Sequence, residues 1–551
     1  MSFFPIHLEH RETPPSHPLS EQDFSVWVQR LSVRRRWIIL LSLGLVCAVE
    51  ISNRISINVI LPDMQGNVAA NSDEISWVLI LYNIGFICSM ILSAGMTRYL
   101  GNRRHFLYSI AIYAAGALGC FLSAHNLDTL LASRLLMGFG GGAFLVRMVV
   151  LSWIFFPGAS RLKPFIWTLI TLFALLSVYP TIMGAIDDAT HWNYAFLLDF
   201  LPLSVGTALI IIFLPSGGRH MMGIDKRLDV RGTVLLIVGM LTLQTALSRG
   251  ERDLWFDSPL IVSCLIVSLL CLILFLAWEL HPANDYPVLN LRLIMGEHAL
   301  RSAFGITMIM GALLGASLYV LPQYLRNVQN YSATQTGNFF SLYGGGLGTG
   351  FLVSILLLVP RLGGWRTTIL GFGLLATTLT IFIYTWTPDT PTWFLALILF
   401  IQGVSIAPIA VGISNLALGK VTLPHMSDTD ATYYFVRQLG NTFGVTAVAV
   451  IFDRRLTLHS SRLLDVANRL DPTVQTTLAA YAGIVARKGG GAHDPALGAL
   501  QIFENVVVVQ TRLLTFIDIS FFLAVLCVIG IIVAAFTHGK VKNALFHLHL
   551  W

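Results

Sequence analysis

Apolar residues run in blocks of about twenty from position 37 to position 537, a length that spans the ~30 Å hydrocarbon core of a bilayer as a helix. Short polar or Pro/Gly-containing segments separate the blocks. Fourteen of them lie near 37–60, 75–97, 105–124, 128–153, 164–186, 194–214, 229–247, 258–279, 301–325, 336–359, 365–384, 392–418, 430–453 and 514–537. Inside each block the apolar residues are continuous and do not alternate. That favours helices over barrel strands, because a lipid-embedded segment must close its backbone hydrogen bonds internally. The pattern predicts an all-α, polytopic membrane protein with fourteen spans.

Composition and charge sharpen this reading. Only 12% of the 551 residues are charged and the mean hydropathy is +0.73, whereas a soluble domain carries roughly a quarter charged residues. The net charge of +6 is dispersed and forms no basic stripe with interleaved aromatics, so no nucleic-acid partner is expected. Its placement tests topology instead. Arg34, Arg35 and Arg36; Arg98, Arg103 and Arg104; Arg161 and Lys163; Lys226, Arg227 and Arg231; Arg361 and Arg366; and Lys540 and Lys542 all fall on one side of a fourteen-span chain. The short loops of the other side hold only Arg249, Arg252 and Arg326, which places both ends in the cytoplasm. Residues 1–36 form a polar tail, too polar at its start for a signal peptide and expected to be partly disordered. Residues 454–513 are the one long external connection. Apolar spacing over 456–470 and 472–485 suits either docked helices or a loosely ordered lid.

Candidate chemistry lies in the few polar groups at bilayer depth, where an ionisable side chain is costly. Glu50 and Arg54 stand one turn apart in the first span and share a face with Asn58 and, nearly, Asn53. The fourth span holds Arg134 and Arg147 with Gly138, Gly140, Gly141 and Gly142 between them, the second Tyr82 and Asn83, and the fifth Tyr179, Pro180 and Gly184. The carboxyl half offers Gln323, Tyr343, Asn415, Arg437 and Gln438. Asp187, Asp188, Asp199, Glu279 and Asp518 sit near predicted span ends, within reach of water. One carboxylate against three guanidiniums in the amino half predicts a cavity with positive excess, suited to an anionic solute. The bland reading of Glu50 with Arg54 is a structural ion pair.

Other motifs carry little. The run Gly344–Gly350 lacks the strand and lysine of a nucleotide loop and reads as a close helix contact. Six cysteines lie inside apolar blocks, the histidines are scattered, and no HExxH, GxSxG or Walker pattern occurs, so no enzyme, metal or cofactor is expected.

Several segments, in order along positions 37 to 540, resemble the fourteen-spanner drug:proton antiporter branch of the major facilitator superfamily, the EmrB/QacA type. They are Asn58-Val59-Ile60-Leu61-Pro62, Leu131-Ala132-Ser133-Arg134-Leu135-Leu136-Met137-Gly138, Ser248-Arg249-Gly250, Trp278-Glu279-Leu280, Leu321-Pro322-Gln323-Tyr324-Leu325 and Phe435-Val436-Arg437-Gln438-Leu439-Gly440. The chain departs from that pattern in three places. Asn53 stands where the family carries a first-span aspartate, with Glu50 the nearest acid. Arg98 replaces an aspartate in the loop that runs Gly95 to Arg104, and the fifth-span antiporter motif is reduced to Pro180 and Gly184.

The resemblance implies a major facilitator fold with a cytoplasmic tail (1–36), a six-helix bundle (37–215), two linker spans (216–297) and a second six-helix bundle (298–551). It implies alternating access driven by the proton gradient and export of small anionic or amphipathic drug-like compounds across a bacterial inner membrane. A periplasmic adaptor and an outer-membrane channel are implied as partners. The expected substrate-binding residues are Arg54, Asn58, Tyr82, Asn83, Arg134, Arg147, Tyr179, Gln323, Asn415 and Arg437. Glu50, Arg54 and Arg134 would couple to protons, and Gly95, Arg98, Gly101, Arg103, Arg104, Pro180 and Gly184 would gate. Transport of a carboxylate siderophore or similar metabolite in either direction, and a sensor or scaffold that transports nothing, are the competing expectations.

Overall fold

The computed structural model describes residues 31–70, 72–156, 162–214, 229–284, 288–289, 291, 298–418, 423–467, 471–487 and 495–538. The tail expected at 1–36 falls mostly outside them, as do the side chain of Arg98 and the Gly489–Gly491 segment. Every regular element among the described residues is helical. The amino half comprises α1 (Val33–Asn67), α2 (Ser72–Leu100), α3 (Asn102–Leu122), α4 (Leu127–Gly141), α5 (Phe144–Phe155), α6 (Leu162–Leu176), α7 (Tyr179–Ala189) and α8 (Phe200–Phe213). Two helices follow, α9 (Val230–Arg249) and α10 (Pro259–Glu279). The carboxyl half comprises α11 (His298–Asn327), α12 (Ala333–Val353), α13 (Val359–Thr385), α14 (Thr392–Leu418), α15 (Leu423–Val466), α16 (Pro472–Arg487) and α17 (Pro495–His538).

Among the described residues, thirteen helical stretches are long and apolar enough to cross a bilayer. One of them, Ala333–Thr385, would run about 80 Å if straight, far more than a membrane is thick. It turns back at Gly363, whose φ of 77° and ψ of 161° belong to backbone that only glycine adopts readily, so it crosses twice and the chain has fourteen spans. Gly101, between α2 and α3, has φ 82° and ψ 156°. The two glycines hold equivalent places, after the second span of each half, and each is preceded by a leucine and followed within three residues by an arginine. The same tight cytoplasmic turn is thus built twice in the chain.

The arginines counted for topology are also structural. Arg35 donates through Nε to the Phe213 carbonyl at 3.0 Å, Arg36 to the Phe155 carbonyl at 3.3 Å, and Arg103 to the Ile211 carbonyl at 2.7 Å. Each occupies a carbonyl that the last turn of a helix leaves without an intrahelical donor.

Spans four, five and six are broken. The fourth divides between α4 and α5, and the fifth bends between Leu176 and Tyr179, where Pro180 has no N–H to continue the ladder. The sixth opens with the tight helix Trp192–Asp199 before α8 begins. Spans one to six pack chiefly on one another, spans nine to fourteen do likewise, and α9 and α10 form a pair that leans on α2. The halves meet most closely where α6 and α7 lie along α12. Gly344 and Gly348 rest on Leu176 and Phe173 of α6, while Gly346 and Gly350 rest on α14, so the glycine run is a two-sided helix contact.

The external connection is more ordered than a lid. α15 and α17, 44 residues each and about 66 Å long, continue well beyond the bilayer, and α16 packs along α17. The last helix therefore begins near 495, well before the predicted 514. Its extension is amphipathic, a pattern that a search for continuous apolar blocks passes over. At the membrane edge His459 and Arg455 both meet Asp518, at 2.9 and 3.5 Å. Nearby Arg454 pairs with Glu251 at 2.9 Å, and that hydrogen bond holds the Glu251 carboxyl below its ordinary range. The tie is present at neutral pH and is lost only as the pH falls below that range.

Alanine at Gly101 or Gly363 should each cost about 1–3 kcal/mol, the penalty of a strained backbone well, and lower the unfolding temperature of the detergent-solubilised protein. Gly373→Ala, on a helical site with open space around it, serves as control and should leave that temperature unchanged or raise it. Equal effects at all three positions would show that the two turns are not the strained points.

Candidate functional site

The glycines of α4 bring three helices to one place. A Cβ at Gly138 would strike the Tyr82 carbonyl of α2, and one at Gly141 would stand 2.8 Å from Cγ of Glu50 on α1. The close approach sets Glu50, Tyr82 and Arg134 side by side.

Glu50 is 1% exposed. Its Oε1 accepts the Tyr82 hydroxyl at 2.8 Å and pairs with Nε of Arg54 at 3.0 Å. The Arg54 side chain is 21% exposed and lies over the Phe86 ring at 4.8 Å. Arg437, on α15 of the other bundle, lies over the Tyr434 ring at 4.6 Å and within electrostatic reach of Glu50. This group therefore stands at the boundary between the halves. Oε2 of Glu50 and NH2 of Arg134 are buried with no hydrogen-bond partner among the described residues.

A second network lies behind the first. Arg134 is fully buried, 4.3 Å above the Tyr82 ring, and donates through NH1 to Oδ1 of Asn53 at 3.3 Å. Asn53 in turn donates through Nδ2 to Oδ2 of Asp199 at 3.0 Å. Tyr113 donates its hydroxyl to the same oxygen at 3.2 Å, and Tyr179 donates to Oδ1. Asp199 is thus fully buried and not, as its place near a span end suggested, within reach of water. The helix Trp192–Asp199 packs against α3 and α7, whose tyrosines cover the carboxyl group. Glu279, likewise placed at an edge, is buried where its oxygens accept Leu289 N at 2.6 Å and Asn284 Nδ2 at 2.9 Å. It closes the cytoplasmic end of the linker pair.

The positive excess expected of the amino half is corrected by this arrangement. Asp199 offsets Arg134 and Glu50 offsets Arg54. Arg147 belongs elsewhere: its Nε donates to Ser93 at 3.1 Å on the cytoplasmic side, near the Thr97–His105 contact. Among the described residues, Arg437 is the positive charge within reach of Glu50 from the other bundle.

The other expected residues scatter. Asn58 donates to the Ile55 carbonyl of its own turn at 3.1 Å, and Gln323 to Tyr319 of its own helix at 3.4 Å. Asn83 is half-buried on α2, and Asn415 lies against Gly364 at the cytoplasmic end of α14. Neither Asn58, Gln323 nor Asn415 bonds to the Glu50 or Asp199 group. Among the expected gating residues, Gly95 is buried on α2, Gly101 forms the turn and Arg104 is exposed. Pro180 and Gly184 press directly on Gly337 and Ala333 of α12. The sequence gives no signal for Tyr113, whereas an amide at Asn53 in place of an acid leaves Arg134 to be answered, through that amide, by Asp199 of another span.

At the periplasmic end, polar ties join the halves. Asp63 pairs with Arg326. Asp188 accepts Thr334 N and Ser332 Oγ at 2.8 Å, Thr334 Oγ1 at 2.6 Å and Ala333 N at 3.3 Å, a carboxylate set on the amino terminus of α12. Thr181 adds contacts to Asn338 at 2.9 Å and to Ser341 at 2.8 Å. In an otherwise cysteine-free chain, Ser341→Cys should react with a membrane-impermeant maleimide at least about fivefold faster when Asp188→Ala and Arg326→Ala are added. An unchanged labelling rate would show that these ties do not hold the periplasmic side together.

Comparison with known proteins agrees with this architecture. Residues 43–445 match the family model of the Major Facilitator Superfamily. The multidrug export protein EmrB of Escherichia coli (strain K12) is 23% identical over 500 residues, covering 89% of this chain and 94% of that protein. The fatty acid resistance protein FarB of Neisseria gonorrhoeae is 25% identical over 453 residues, covering 80% and 85%. A solved peptide transporter superposes with a TM-score of 0.61 at 11% identity, over 95% of this chain and all of that one. The chain is a multi-pass transporter of the bacterial inner membrane and belongs to the Major Facilitator Superfamily, on its fourteen-span EmrB/QacA-type branch.

Proposed function

We propose that the protein carries small amphipathic organic compounds, preferentially those bearing a negative charge, across the membrane by a proton-coupled cycle. The observation that carries this reading is the Glu50–Arg54 pair at the bundle boundary, buried on one partner, partly open on the other and faced by Arg437. A proton on Glu50 cancels its hold on Arg54, leaving two guanidiniums and the Tyr82 and Phe86 rings to receive an anionic, partly apolar solute. Loss of the proton re-forms the pair and expels the solute's anionic group. The Glu50 carboxylate and the solute's anionic group thus compete for the same cation, so proton and solute are taken up and released together, which couples the movement of one to that of the other.

The bundles rock about this site, and the Asp63–Arg326 and Asp188 ties close its periplasmic side. The names of the relatives, multidrug export and fatty acid resistance, fit amphipathic cargo. The helical extension of α15, α16 and α17 offers the surface on which a periplasmic adaptor, leading to an outer-membrane channel, would dock. A carboxylate siderophore fits the same Arg54 and Arg437 pair and is the second reading.

In proteoliposomes holding the purified protein, an imposed pH gradient should drive taurocholate flux. Tetraphenylphosphonium, a lipophilic cation, is the counter-probe. Glu50→Gln should reduce gradient-driven flux at least about tenfold while taurocholate binding stays within about threefold of the parent chain. Flux of the cation alone would reverse the charge preference, and undiminished flux in Glu50→Gln would remove Glu50 from the coupling.

A further inference from the structure

Among its described residues the amino bundle buries two carboxylates, Glu50 and Asp199, and the cycle described above uses the first. Asp199 has no exposed surface and accepts three hydrogen bonds, from Tyr113, Tyr179 and Asn53. Asn53 is held so that its amide donates to Asp199 and its carbonyl accepts from Arg134, an orientation that fits a negative group on one side and a positive group on the other. Three donors turned on one carboxyl group are the surround that suits its ionised form. A neutral carboxyl group there must donate its own O–H, and the oxygens nearest to it belong to hydroxyls that now point at it.

The neighbours decide what such a change does. α3 contributes Tyr113 and Cys120, α4 contributes Arg134, α1 contributes Asn53 with Glu50 one turn earlier, and α7 contributes Tyr179. Tyr179 is the first residue of α7, just after the bend in span five. The next residue, Pro180, presses its carbonyl on Gly337 of the other bundle, and Thr181 bonds to Asn338 and Ser341 there. A single turn of helix therefore holds both the donor to the buried acid and the contact across the boundary.

We propose that Asp199 is a second proton-carrying group, and that its protonation is read by Tyr179 and passed through the bend at 177–180 to the contact between the bundles. The step is a simple protonation: the carboxylate takes up a proton entering from the periplasmic side, Tyr179 turns its hydroxyl away or accepts, and the α7–α12 contact loosens. Release of the proton to the cytoplasmic side restores the three donors. Arg134, which shares the Tyr82 ring with the donor to Glu50, links the two carboxylates, so the protons are taken up in sequence and not independently. This inference rests on the proton-coupled reading and extends it to a second site.

The test is pH-difference infrared spectroscopy of the reconstituted full chain, following the carboxylic C=O stretch of buried groups. The parent protein should show two such bands, of which Asp199→Asn removes one and Glu50→Gln the other. Tyr179→Phe, which deletes a donor to the ionised form, should move the midpoint of the Asp199 band upward by about one pH unit, tenfold in proton affinity. A band lost only in Glu50→Gln, with none assignable to Asp199, overturns the second site and leaves the coupling by Glu50 standing. Absence of any titrating band overturns both. Should Asp199→Asn fail to purify as a single species, Tyr179→Phe and Tyr113→Phe decide with the acid intact: a midpoint that moves in neither overturns the proposal.

Discussion

A full charge buried in a medium of low dielectric must be answered by a partner, and in the amino bundle that requirement falls on Arg134. The answer is indirect. Asn53 stands between the guanidinium and Asp199, one end of its amide turned to each. Four helices and the opening turn of span six must be in register for that chain of contacts to close. The glycines of α4 allow it by letting α2 and α3 approach to backbone distance and by leaving room for the Glu50 side chain of α1. Much of the irregularity of the bundle, including the bend before Pro180 and the tight helix Trp192–Asp199, surrounds the same spot.

That arrangement separates two kinds of polar group that look alike in a hydropathy plot. Arg134 and Asp199 have no exposure, whereas Arg54 retains part of its surface and faces a cation of the opposite bundle. The first pair fixes the geometry of the amino bundle, and the second is open to exchange. Tyr82 touches both, through its hydroxyl on Glu50 and its ring beneath Arg134. A change of protonation at either carboxylate is therefore felt by the other without any movement of the chain.

The boundary between the halves is built differently along its length. Toward the periplasm it is polar and reversible: Asp63 with Arg326, and Asp188 on the first turn of α12. Deeper in the membrane it is small-residue packing, Gly184 and Gly337 on one stretch and Gly344 and Gly348 on the next. Hydrogen bonds of this kind break and re-form at modest cost when water enters, while glycine contacts allow two helices to slide without unlocking side chains. A rocking motion about the Glu50 site needs both properties.

Span count, helical class, orientation and family are legible in the order of residues alone. Each of these depends on summed local quantities: apolar length against bilayer thickness, arginines per loop, and ordered short motifs. The same order singles out Glu50, Arg54, Tyr82 and Arg134 as one neighbourhood, because i, i+4 spacing and a glycine run speak about faces of single helices. Folding settles the rest: which acid answers Arg134, that Arg147 and Asn415 make their contacts elsewhere, and that α15 and α17 continue past the membrane. Burial and charge pairing are relations between segments far apart in the chain, and Asp199 becomes a buried acid only once Tyr113 and Tyr179 have been folded over it.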